Sequence, residues 1–273
     1  MIRGSISKRR SLFFSLLAVA IIAIGYVSLS WIMNSRAEAR GESLSTMPNV
    51  QQLWGGFKEV FTPHYRSGEI WAKQDAIATG TRFGLGLLAT IVGSISIGLI
   101  SGCFRSIDAF FTPILVWIAK IPPTAALPVF FALLGADNTM FIGLAIFGTV
   151  TGLYMTSRNS VLNIPEQLIH KSYILGIDHT TAVTTIAARM SLPHIIEGIR
   201  LSIGPLMVYL IAAEALSADV GFGYTIRVQA RINDMKVVYP YLLMLSMFGL
   251  FVDWIFVWLK RLLCSWAIEK QEK

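Results

Sequence analysis

Two carboxylates, Glu214 and Asp253, stand inside stretches that are otherwise almost wholly apolar. An acid in such surroundings has two uses: it can face a pathway and exchange a proton, or it can close a hydrogen bond between helices. Neither acid has a partner that the sequence points to, so both uses stay open. Lys120 is a third polar intruder, followed by Pro122, Pro123 and Pro128 in IPPTAALP. Proline removes a backbone bond and kinks a helix. Broken helices are tolerated at membrane depth where they are buried in protein or line a water-filled path. The stretch therefore reads either as the kinked wall of a pathway or as a packing kink with Lys120 reaching for an interface. Of the four histidines, His64, His170, His179 and His194, none belongs to a cluster with metal-ligand spacing. There is no G-x-x-x-x-G-K-[ST] loop, so ATP cannot be held by that route. No catalytic residue, metal or cofactor is expected on this chain.

The elements that carry these residues are membrane helices. The chain is 54% hydrophobic and 14% charged, against about 25% charged in soluble domains. Its apolar residues come in blocks of about 20, the length one helix needs to cross hydrocarbon. Six spans are expected, over 12–33, 76–104, 107–135, 138–157, 195–216 and 237–263, the third irregular. The fold class is thus an all-α membrane protein. Residues 1–33 hold a basic tail and the first span. Its apolar block exceeds a signal-peptide core, and no A-x-A site follows it, so it reads as retained. Residues 34–75 form an extracytoplasmic segment with a surface helix over 50–61. Five spans fill 76–263, interrupted by a polar connection at 158–194, and 264–273 close the chain.

The net charge of +7 could suggest nucleic acid, but no zinc-like or helix-turn-helix signature accompanies it. Basic loops that set orientation explain it better. Arg3, Lys8, Arg9 and Arg10 precede the first block, which puts both termini and the 158–194 connection in the cytoplasm. Cys103 and Cys264 read as packing residues, since their spacing suggests neither a disulfide framework nor a metal site.

Within the long connection, GIDHTTAVTTIAARMSLP (176–193) is polar and alanine-rich. Ala182, Ile186 and Met190 fall at i, i+4 and i+8, one apolar stripe of a short helix. Asp178 can cap its start, and Pro193 suits the first turn of the helix that follows. The polar face is poor in lysine, so docking to a soluble protein fits better than lying on lipid.

This segment resembles the cytoplasmic coupling loop of bacterial ABC importer permeases, whose motif runs E-A-A, Gly, Leu-Pro. Leu175-Gly176 and Leu192-Pro193 are present, while His170-Lys171-Ser172 stand where E-A-A would fall, and Ala188-Arg189 replace an earlier Leu-Pro. IIEGIRLSIG (195–204), AAEALSADVGFGYTI (212–226), IPPTAALPVFFALLG (121–135) and DAIATGTRFGLG (75–86) resemble the nitrate, sulfonate, taurine and bicarbonate permeases of that family.

The resemblance implies the type I importer permease fold and a place in the bacterial inner membrane. It also implies ATPase coupling through His170, Lys171, Ser172, Gly176, Asp178, His179, Leu192 and Pro193. Pathway candidates are Lys120, Pro122, Pro123, Pro128 and Glu214. Gly221, Gly223, Tyr224 and Arg227 are candidates for binding-protein docking. The implied partners are a second copy or close homologue, two cytoplasmic ATPase subunits carrying ATP and Mg, an extracytoplasmic binding protein and lipid, but no nucleic acid. The solute would be a small oxyanion. A vitamin-precursor permease, an ion-coupled carrier using Glu214 or Asp253, and a scaffold without transport are the alternatives.

Overall fold

The computed structural model describes residues 7–39, 47–63, 68–178 and 181–268. Expectations for the rest of the N-terminal tail, for His64 and Arg66, for His179 and for the last basic residues lie outside the described residues. The described chain is helical throughout: α1 (Lys8–Ala39), α2 (Val50–Phe61), α3 (Trp71–Cys103), α4 (Arg105–Ile118), α5 (Pro123–Leu134), α6 (Asn138–Leu162), α7 (Glu166–Ile174), a π-helical turn (Ala182–Ala187), α8 (Ala188–Ser217), α9 (Phe222–Arg231), α10 (Met235–Leu263) and α11 (Ser265–Ile268).

Among the described residues, five helices are long and apolar enough to cross a membrane: Leu12–Arg36, Trp71–Cys103, Asn138–Leu162, Ala182–Ser217 and Met235–Leu263. Two expectations change here. The irregular third span is a pair of helices, α4 and α5, bent by 96° at their junction. Ile121-Pro122-Pro123 explains the break, because a residue before proline is pushed out of the α region. Pro122 is accordingly extended, at φ −61° and ψ 121°, and Pro123 opens α5. The second change concerns 176–193, where a separate short helix is expected ahead of a helix opened at Pro193. The π-helical turn runs straight into α8, with Pro193 inside the helix. That turn shifts the side-chain register: Ala187 is buried, while Met190, expected on the apolar stripe, is exposed.

The chain forms two compact units. One comprises residues 1–72 and 226–243. In it Asn49 and Gln52 form a reciprocal cap at the start of α2, each backbone N–H donating to the other's side chain at 2.8 Å. Gly56 lies so close to the Lys236 backbone that a Cβ would sit 1.9 Å from the Lys236 carbonyl oxygen.

The other unit, 73–225 and 244–273, holds the main core. Phe83, Phe141, Leu144, Leu153, Leu206 and Leu210 are buried there among α3, α6 and α8. Lipid tails are as apolar as leucine, so close packing and interhelical hydrogen bonds must hold such helices together. Small residues supply the closeness: Gly98 and Gly102 of α3 face α6, and Gly198 of α8 faces Thr156. Hydroxyls add polar ties between α3 and α6, Thr90 to Thr149 at 3.1 Å and Ser94 to the Val150 carbonyl at 3.0 Å.

Two glycines on α3 test this packing. A Cβ on Gly98 would lie 2.7 Å from the Ser157 Cβ and 2.9 Å from the Tyr154 carbonyl oxygen, whereas one on Gly93 would meet nothing within 4 Å. Gly98→Ala should lower stability by about 1–3 kcal/mol, and Gly93→Ala should leave it unchanged or raise it. Thermal unfolding of the purified proteins in detergent would distinguish the two, and equal midpoints would refute the assigned α3–α6 contact.

Candidate functional site

The region expected to couple to a partner is built on α7. That helix ends in a left-handed cap: Gly176 has φ +74°, and the Ile177 N–H donates to the Ser172 carbonyl at 3.0 Å. A residue with a Cβ is strained there, which is why glycine suits the position. Ser172 is buried, its hydroxyl donating to the Ile169 carbonyl. His170, Lys171 and Asp178 are exposed. Beside the cap, Ile174 and Leu175 are 83% and 78% exposed. Sequence reasoning used Leu175 only as part of the Leu-Gly motif and passed over Ile174, although adjacent large aliphatics just before a helix-ending glycine were the available signal. Leu192 and Pro193 are half-buried within α8. A cavity of about 250 Å³ separates α7 and the π-helical turn from the end of α3, lined in part by Cys103, Arg105, Ile164, Glu166, Val183 and Ile186.

Lys120 is exposed in the turn at the 96° bend, just ahead of Pro122 and Pro123. Pro128 lies inside α5.

Glu214, named above as a pathway candidate, is buried and fully paired. It is 0% exposed. Its carboxylate accepts from Arg82 Nη1 at 2.8 Å, from Thr79 Oγ1 at 2.9 Å and from the Gly223 N–H at 3.1 Å. Arg82 Nη1 also donates to the Val220 carbonyl at 2.8 Å, and its Nε to Asn138 Oδ1 at 2.7 Å. Its guanidinium carbon lies 4.4 Å from the Phe141 ring centroid, within cation–π range. Asp75, Thr79 and Arg82 fall at i, i+4 and i+7, one face of α3. Asp75 accepts from the Gly221 N–H at 2.8 Å and Thr225 Oγ1 at 2.6 Å, and Thr79 Oγ1 accepts from the Phe222 N–H at 2.9 Å. The sequence segments 75–86 and 212–226 are therefore two halves of one buried polar site.

Gly221 and Gly223, the docking candidates, are both buried and belong to this site. Gly221 has φ +136°, and a Cβ there would lie 2.7 Å from the Glu214 carboxyl; one on Gly223 would lie 2.4 Å from the Ile211 carbonyl oxygen. They are glycines so that backbone N–H groups can reach acids. Tyr224 packs against the core, and Arg227 is half-buried on α9.

Asp253 is also paired. Arg200 holds it with two bonds, Nε to Oδ1 at 2.8 Å and Nη2 to Oδ2 at 3.0 Å, and Arg200 Nη1 and Lys260 Nζ each reach Glu197 at 3.0 Å. A third pair, Asp108 with Arg158, joins α4 to α6, and Thr112 bonds both Asp108 and the buried Tyr154 hydroxyl. Apart from Glu197 and Arg200, which are three residues apart on α8, the partners lie 50 or more residues from the acids in sequence, beyond the reach of any local pattern. The signal available was the scarcity of charge: each acid in a span had only a few intramembrane arginines to choose from.

A family model described as binding-protein-dependent transport system inner membrane component matches residues 94–263. The chain is 23% identical over 224 residues to the putative aliphatic sulfonates transport permease protein SsuC of Bacillus subtilis, covering 82% of this chain and 79% of that one. It is 24% identical over 229 residues to the taurine transport system permease protein TauC of Escherichia coli, covering 82% of each. It is 26% identical over 187 residues to the bicarbonate transport system permease protein CmpB of Synechococcus elongatus, covering 68% of this chain and 67% of that one. The fold recurs in an inward-facing structure of the MetNI methionine ABC transporter, with a TM-score of 0.60 at 16% identity over 69% of this chain and 94% of the other.

Removing one member of a buried ion pair leaves the other charge uncompensated, while replacing both with apolar groups is often neutral. Arg82→Ala should therefore destabilise the protein by about 3–5 kcal/mol, and the Arg82→Met/Glu214→Leu double variant should recover most of that loss. Denaturant unfolding in detergent micelles checks both, and an Arg82→Ala protein as stable as the parent would contradict the clamp.

Proposed function

We infer that this chain, which belongs to the family of binding-protein-dependent transport system inner membrane components, forms the translocation pathway of an ATP-driven importer for a small oxyanion. Sulfonates, taurine and bicarbonate are the solutes named for similar permeases. Six spans, counting α4 and α5 as one, put both termini in the cytoplasm. Two copies of the chain assemble with two cytoplasmic ATPase subunits, which bind ATP and Mg, and with an extracytoplasmic binding protein.

The observation that carries the coupling assignment is the tip of α7, where Ile174 and Leu175 are exposed beside the left-handed Gly176. Exposed aliphatics rimmed by His170, Lys171 and Asp178 suit a soluble protein partner. The Ala182–Ser217 helix then serves as the transmitting rod. Its 36 residues span about 54 Å, from the ATPase side to the Glu214 site. Coupling therefore needs no hinge at Pro193: closure of the ATPases displaces a continuous element whose far end is bonded to α3. The pairing of Glu214 and Asp253 with arginines leaves neither as a free proton carrier, which weighs against the ion-coupled reading.

Gentle detergent purification of the tagged chain from its native membrane should bring down a soluble ATPase in equal copy number. Gly176→Val should reduce that recovery, and with it ATP-driven sulfonate uptake, by about tenfold (a loss of 1.4 kcal/mol is tenfold), while the protein still elutes as a single species. Recovery of the parent chain without an ATPase would sink the assignment.

A further inference from the structure

On a helical wheel the apolar residues of Val50–Phe61 occupy one continuous arc, and the chain itself covers only half of it. Gly56 and Val60 are buried, with Gly56 against Lys236 and Glu59 paired to Lys236 at 2.9 Å. The other half of the arc stays open: Val50 and Trp54 are each 63% exposed and Phe61 47%. Phe57 stacks on Trp54 and tilts against Phe61, and Lys58 reaches over the Trp54 ring.

The depth at which α2 begins identifies what covers this edge. Tyr26, Ser30 and Asn34 form one face of α1 and bond the two residues ahead of the α2 cap. Tyr26 and Ser30 donate to the Pro48 carbonyl at 2.8 and 3.1 Å, and Asn34 donates to the Met47 carbonyl at 3.1 Å. Those positions lie inside the apolar stretch Leu12–Arg36, none of whose most hydrophobic window is buried by protein. Ser30 sits six residues short of Arg36, about 9 Å of helix. Val27 and Trp31, on the open surface of α1, share a cleft with Asn49 and Val50. The lipid-facing surface of α1 thus continues directly onto the open edge of α2.

We propose that α2 is an interfacial helix, its Val50–Trp54–Phe61 edge seated at the boundary between headgroups and acyl chains and its Gln51–Gly55 edge in water. Tryptophan and phenylalanine on the apolar side, with a lysine stem folded over the ring, are the side chains that such a boundary favours.

The test uses the full chain reconstituted in phospholipid nanodiscs, with Cys103→Ala and Cys264→Ala removing the native thiols. A nitroxide is attached at Trp54→Cys, Phe61→Cys, Gln51→Cys or Gly55→Cys, one at a time, and its collisions with oxygen and with a water-soluble nickel chelate are measured. Labels at 54 and 61 should collide mainly with oxygen, and those at 51 and 55 mainly with the chelate. Chelate-dominated collisions at all four positions would mean an aqueous helix and overturn the proposal. Labels at 54 and 61 shielded from both reagents would mean that protein covers the edge, and would overturn it equally. In the chain with native tryptophans, nitroxide-bearing lipids should quench fluorescence less after Trp54→Phe. An unchanged quench would also count against the proposal.

Discussion

A polar group inside hydrocarbon has no water to turn to, so the protein must supply every partner itself. The Glu214 site shows how far this demand shapes the chain. One carboxylate with 0% exposure requires an arginine and a threonine on α3 and a backbone N–H at Gly223. The N–H groups of 221–223 can approach only because two of those three residues lack a Cβ. The same arginine then reaches the Val220 carbonyl and Asn138, so that α3, the start of α6 and the loop after α8 meet at a single guanidinium. Stability and backbone conformation are therefore coupled at this point.

The other two networks follow the same logic in less buried surroundings. Arg200 and Lys260 compensate Asp253 and Glu197, and Arg158 compensates Asp108. Each pair joins a different couple of helices: α3 with α8, α8 with α10, and α4 with α6. Ion pairs placed this way specify which helices are neighbours, since a wrong pairing would strand a charge. Packing between helices depends on glycine and hydroxyl residues, because apolar bulk alone does not distinguish a helix from lipid.

Much of this was legible in advance. Charge-free blocks marked the spans, the polar stretch after the first of them held the surface helix expected over 50–61, and Ile121-Pro122-Pro123 marked the break in the irregular third stretch. These are local effects, carried by side chains within a few residues of one another. The expectation for 176–193 missed for a comparably local reason. A proline three residues past an apolar stripe looks like a boundary, yet one missing N–H can be absorbed inside a long helix whose other bonds are kept.

The sequence by itself determined that this is a membrane chain of helices, roughly where the long apolar ones lie, and which motifs tie it to its family. Those properties depend on hydropathy, turn chemistry and spacing along the chain. Only the tertiary structure decided what the motif residues do. Glu214 is clamped by Arg82, Thr79 and the Gly223 N–H, and Gly221 and Gly223 are points of close backbone approach. Ile174 and Leu175 emerged as the exposed tip of α7. The reason is that burial and pairing join residues up to 150 apart in sequence, and which arginine meets which acid is settled by helix packing, to which local sequence is blind.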